Sequence, residues 1–176
     1  DALQTTLAHE MVHDLLSESQ LPLWLEEGLC RTFVTSGLEG LVKGADQLRQ
    51  AATGQALADF WSGRGFSGGE QQQKFCHSLA EILTRLLLDE ANFRSFLATA
   101  QRADCGQEAC RKALGRSLGS FLGTFLGPGA WEPPVSKVHE VWALLHERRW
   151  ERASEVAGCS DDPLLRLGKA IALCET

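Results

Sequence analysis

The chain has 176 residues, 44% of them hydrophobic, with 17 Lys and Arg against 23 Asp and Glu for a net charge of −6. That length suits one medium domain or a domain with a small appendage, and the acidic balance argues against a nucleic-acid backbone as main partner. No apolar run approaches the roughly 20 residues of a bilayer span, and no basic, apolar leader opens the chain. Because the first residue is Asp1 and not Met, a chain processed or excised from something longer is expected, and its compartment stays open.

Taken in order, the residues predict a mainly α protein. Leu3, Leu7, Met11, Val12, Leu15 and Leu16 recur at helical spacing over 2–17, with Asp1 placed to cap. "SESQLP" breaks this helix, and Pro22 suits the first turn of a second one, running through "LWLEEGLCRTFV" to about Thr35. "SGLEGLVKG" reads as a Gly-punctuated connection and 44–60 as weakly helical. "WSGRGFSGG", 61–69, reads as a mobile loop and a possible lid. It is not a P-loop, because it lacks the Lys and the strand–helix setting.

A long helix is expected over 70–88, burying Leu79, Ile82, Leu83, Leu86 and Leu87, then another over about 90–102 carrying Phe93, Phe96 and Leu97. Two short helices, 107–114 and 117–126, are split by Gly115. "GPGAWEPP", 127–134, reads as a linker or domain edge, followed by helices over 135–157 and 162–174. No strand is predicted. The division is a helical domain over 1–130 and a linker with a helical hairpin over 131–176.

Six cysteines stand at 30, 76, 105, 110, 159 and 174. Cys105 and Cys110 either pair or sit reduced in a helical layer.

The chemistry concentrates in "TLAHEMVHDLL". On a helix, residues four apart share a face, so His9 and His13 present two imidazoles that one metal ion can bridge. Glu10, turned about 100° from His9, can reach a water on that metal without ligating it. This is the logic of H-E-x-x-H as a zinc-hydrolase motif. Zinc needs a third protein ligand and an open fourth position. The plain alternative is a pair of solvated histidines on a surface helix.

The second helix brings "LPLWLEEGLC" close behind. If the chain reverses at "SESQLP", either Glu26 or Glu27 can point back at the histidines. Gly28 costs about 1 kcal/mol inside a helix, which makes sense if it allows close approach to the first helix or frees space beside a metal. The plain alternative here is an amphipathic helix with an exposed Glu pair.

H-E-x-x-H followed by W-L-x-E-G-L resembles the gluzincin metallopeptidases, in particular the peptidase MA-like group, distantly similar to aminopeptidase N. The likeness spans about residues 3–130 and is specific over 6–30. It implies that His9, His13 and Glu27 bind Zn²⁺, with Glu10 as general base and proton shuttle in peptide-bond hydrolysis of a peptide or protein substrate. Two departures stand out. The chain contains no tyrosine, whereas the resemblance implies a tyrosine donor near Phe75, and losing one oxyanion donor costs about 10²–10³ in rate. His77, two residues on, points elsewhere on the helix and is a poor direct replacement; a donor comes either from His77, as oxyanion donor or neighbour of the metal ligands, or from a segment outside this chain. The resemblance also implies a β-sheet lobe before the histidine helix, and this chain begins almost at the motif, so that lobe is expected to be either absent or cut away.

The remaining candidates carry less. His139 and His146 share a late helix face without a carboxylate or Cys at ligand spacing, and read as surface histidines. In 141–173, Leu144, Trp150 and Ala153 fall much as in one tetratricopeptide repeat, with Asp162-Pro163 as its closing turn. Such a unit cannot bury its own face alone, so it packs on the first domain or offers its helices to a protein partner. The alternative function is a non-catalytic zinc-binding or helical interaction domain derived from such a peptidase.

Overall fold

The computed structural model describes residues 2–17, 19–34, 45–134, 137–146, 148–160 and 163–175. Among them no strand forms, and the protein is mainly helical. Among the described residues no helix is long and apolar enough to cross a membrane. The cap expected at Asp1, the 36–44 connection, Asp162 and the side chains of His139 and His146 lie outside the described residues.

Helix α1 covers Ala2–Leu16 and α2 covers Leu23–Val34. Pro22 stands one place before α2 and caps it through its carbonyl, which accepts from the N–H groups of Leu25 and Glu26 at 2.9 and 3.1 Å. The weak helix expected over 44–60 is two, α3 (Ala45–Ala51) and α4 (Gly54–Trp61). The Thr53 hydroxyl divides them by accepting from Ala56 N–H at 3.2 Å, a helix N-cap.

The glycine-rich 61–69 stretch is a packed turn and not an open loop. A 3₁₀ turn spans Arg64–Ser67, with Gly65 and Phe66 buried. The Asp59 carboxylate ties it down, accepting from Arg64 at 2.7 Å and Gln72 at 2.6 Å.

Helix α5 (Glu70–Leu88) is the long helix of the core. Its buried stripe includes Phe75, Cys76, Leu79, Ala80, Leu83 and Leu87, and packs with Trp24, Leu25 and Leu29 of α2 in one cluster. Two observations seat α2 on α5. A methyl group at Gly28 would fall inside the Thr84 hydroxyl and 2.6 Å from the Ala80 carbonyl oxygen. The close approach that this glycine permits is therefore to α5, not to α1. Glu81, buried on α5, accepts from Arg31 of α2 at 3.3 Å and from Arg85 at 3.0 Å. A buried carboxylate without such partners would be costly.

After α5 come α6 (Phe93–Thr99), a 3₁₀ turn (Arg102–Asp104), α7 (Gln107–Leu114) and α8 (Leu118–Leu126). The 127–134 stretch is irregular yet fastened. Trp131 is buried and donates to the Gly127 carbonyl at 2.8 Å, and Glu132 accepts from Gln107 and Ser117, each at 2.5 Å.

The helix expected over 135–157 is also two, α9 (Lys137–His146) and α10 (Trp150–Ala157). Arg148 takes φ +55°, with Arg149 N–H on Leu144 O at 2.9 Å and Arg148 N–H on Leu145 O at 3.1 Å. That pair of bonds is the Schellman stop, here without its usual glycine. With α11 (Pro163–Glu175) the tail is three mutually contacting helices and not a hairpin. They share a second cluster that includes Val141, Leu144, Ala153, Leu165 and Ala172, with Trp150 against it. Helix α9 also touches the Arg102–Asp104 turn.

All six cysteines are free thiols. Cys105 and Cys110 are buried without bonding each other, and Cys105 Sγ lies 3.4 Å from the Trp61 carbonyl as a donor.

Gly28→Ala is expected to lower the unfolding free energy by about 2–4 kcal/mol, because the obstacle includes backbone. Gly54→Ala has nothing within 4 Å of the added methyl and is expected to stay within about 0.5 kcal/mol of the parent. Urea unfolding of both variants checks this pair.

Candidate metal centre

The site lies where α1 crosses α2. Helix α1 docks in an unexpected orientation. Leu3, Leu7, Met11 and Leu15, its apolar stripe, are between 59% and 81% exposed. Among the described residues of this helix, only Leu16 joins the margin of the core. The face turned inward carries His9 and His13, each partly buried.

Both glutamates of α2 point back at that face, with different partners. His13 Nδ1–H donates to Glu26 Oε1 at 3.0 Å. Glu26 Oε2 in turn accepts from Arg102 at 3.4 Å, and Arg102 Nε donates to the Leu21 carbonyl at 3.0 Å. A histidine that gives its Nδ1 proton to a carboxylate keeps the Nε2 lone pair free, the arrangement that supports metal-ligating histidines. His13 Nε2 faces His9 Nε2 at 3.1 Å. Glu27 spans the pair, with Oε2 at 3.6 Å from His9 Nε2 and Oε1 at 3.5 Å from His13 Nε2.

These spacings fit a small cation. A tetrahedral zinc with bonds of about 2.0–2.1 Å has edges between ligands of about 3.3–3.4 Å. The three observed separations, 3.1, 3.5 and 3.6 Å, bracket that edge. Electrostatics agree with the ligand states required. Burial pushes the His9 imidazole below its usual value, against the upward pull of Glu27. Burial would raise the Glu27 carboxyl, but His77, His13 and His9 outweigh it and hold it below the ordinary carboxylate range. Both shifts favour a neutral His9 imidazole beside an ionised Glu27 carboxylate near neutral pH.

His77 approaches from α5. Its Nδ1 lies 3.4 Å from Glu27 Oε2, and its ring meets the edge of Phe66 at 5.2 Å between centroids. Neither Glu27 Oε2 nor His77 Nδ1 completes an aligned hydrogen bond, although both atoms are buried. Buried polar atoms are rarely left so, and a cation beside Glu27 would satisfy its oxygen. His77 thus meets the centre through Glu27. Phe75 sits in the core cluster instead, and has no hydroxyl to offer.

Glu10 is brought to the rim. It is exposed on α1, and no hydrogen bond or ion pair holds it among the described residues. Its charge acts on His9.

The structure adds two participants that sequence reasoning missed. Cys30 Sγ and one donor atom each of His9 and His13 all lie within 4.8 Å of one another. Its thiol is fully buried, and burial, reinforced by Glu27 and Glu26, raises its pKa to about 12. The signal was present, since Cys30 stands three residues after Glu27 on one helix face. Arg102 had no such signal, being 76 residues from the glutamate it holds.

In the metal-free protein His9 and Glu27 both bind protons less readily folded than unfolded. Unfolding therefore takes up protons as pH falls, and the stability these groups contribute above their unfolded values is lost on acidification. The loss starts below about pH 6.5 for His9 and below about pH 4.3 for Glu27. Urea midpoints at about pH 7.5 and about pH 5.5 should fall for the parent chain, with a shallower fall in His9→Gln. Equal slopes would contradict the assignment to His9.

Comparison with known proteins returns no match to the chain: no protein-family model, no curated protein and no solved structure.

Proposed function

We propose that His9, His13 and Glu27 hold one zinc ion between α1 and α2, and that this centre hydrolyses peptide bonds. The observation that carries the reading is the convergence of two imidazole Nε2 atoms and one carboxylate at separations of 3.1–3.6 Å. The likeness of H-E-x-x-H and W-L-x-E-G-L to the gluzincins supports the choice of zinc and of reaction.

Each residue has a task in this reading. Glu26 keeps the His13 ring in the tautomer that leaves Nε2 free, and Arg102 holds Glu26. His77 steadies Glu27. Zinc, when bound, supplies Lewis-acid polarisation of a carbonyl and of water. Glu10, exposed and unpaired, takes a proton from water at its carboxylate and returns it to the leaving amine. The exposed face of the centre is where a peptide would enter.

A second reading is a zinc clamp without catalysis. The exposed apolar stripe of α1 favours it. A helix that docks through histidines and not through leucines gains its seat from whatever joins those histidines to α2, and a structural zinc contributes folding energy outright.

Elemental analysis of the purified chain should find about one zinc, lost in Glu27→Ala. Glu10→Gln should keep the zinc and cut peptide hydrolysis about 10²–10⁴-fold. Zinc retained with no hydrolysis in either form would leave the clamp. No zinc after reconstitution would end both readings.

A further inference from the structure

We infer that Cys30 is a fourth ligand of this metal, so that the resting centre is closed: two imidazoles, one carboxylate and one thiolate. The inference rests on the metal-binding reading above, and concerns what fills the position that a hydrolytic zinc leaves to water.

A buried cysteine is ordinarily a small core hydrophobe. Cys30 differs in its company. Its Sγ lies within 4.8 Å of one donor atom of each histidine, and Cys30 stands three residues after Glu27, on the same face of α2. Buried thiols elsewhere in the chain, Cys76, Cys105 and Cys110, belong to no such group among the described residues.

Charge gives the second argument. His9 and His13 as neutral ligands with one carboxylate would leave a partly buried Zn²⁺ centre with one excess positive charge. A thiolate removes that excess, and a centre partly withdrawn from water gains by carrying no net charge. The balance is simple. The Cys30 S–H bond breaks, its proton leaves to solvent, and the sulfur electron pair binds the cation, as metal binding to thiols requires. No oxidant or reductant takes part.

Closure has a consequence for the hydrolytic reading. With Sγ in the fourth position water is excluded, and the centre opens only when Cys30 withdraws. Helix α2 can supply that motion only locally, since Gly28 and Arg31 on either side are held against α5.

The test uses Co²⁺ alone as probe, added to the metal-free full chain carrying Cys159→Ser and Cys174→Ser, which removes the two exposed thiols. The expected result is a strong near-ultraviolet thiolate-to-cobalt charge-transfer band together with the visible bands of tetrahedral cobalt. Cys30→Ser on this background should lose the charge-transfer band and weaken Co²⁺ binding about 100-fold or more, since even outer partners of metal ligands cost about 10–100-fold. Visible bands that disappear in His9→Ala, without a thiolate band in the parent, would overturn the Cys30 ligation and leave the metal site standing. A charge-transfer band that survives Cys30→Ser would overturn it as well. Absence of any cobalt binding would overturn the metal site itself. If Cys30→Ser does not fold, the parent spectrum and its loss in His9→Ala still decide between these outcomes.

Discussion

The contact between Gly28 and the Ala80–Thr84 turn of α5 is the constraint on which the site depends. It lets two helix backbones meet where any side chain would hold them apart. With α2 pressed there, Trp24, Leu25 and Leu29 are buried, and the 3.6-residue period carries Glu26, Glu27 and Cys30 to the edge that α1 crosses. The Arg31–Glu81–Arg85 group sets the register of the same pair of helices. A shift along α5 would separate Glu27 from His77, so the core contact and the polar centre are coupled.

Helix α1 then presents a physical puzzle. Burial of its leucines would contribute about 1.5–3 kcal/mol each, yet they face solvent and the histidines face α2. Imidazole–carboxylate pairs at partly exposed positions contribute little by themselves. A zinc ion shared by both helices would change the balance, because structural zinc contributes about 10–16 kcal/mol in zinc-finger peptides. The orientation of α1 is thus consistent with a helix whose seat is metal chemistry, and this holds for both the hydrolytic and the clamp reading.

Much of this was legible in the residues. The spacing of His9 and His13 and the arrival of a glutamate pair one helix later required only helical geometry, and the 70–88 helix formed as its apolar stripe predicted. Other features were not legible, for identifiable reasons. Periodicity identified α1 as a helix without saying which face would be buried. Glu26 and Glu27 are one step apart, so sequence left open which turned back, and in space both do. Gly28 announced a close approach, but the neighbour is α5 and not the first helix that its place after the histidines suggested. The break after α9 has no glycine or proline to announce it, because Arg148 adopts the left-handed conformation itself. Arg102 reaches the site from a distant part of the chain with no signal in the residues, whereas His77 was already a candidate and the packing of α5 on α2 sets it beside Glu27.

The most direct measurement is anomalous diffraction at the zinc absorption edge from crystals of the zinc-loaded chain. The account predicts one strong peak between α1 and α2, about 2.0–2.1 Å from His9 Nε2 and His13 Nε2 and bonded to Glu27. A peak elsewhere, on the exposed Cys159 or Cys174, or no peak between the two helices, would contradict it.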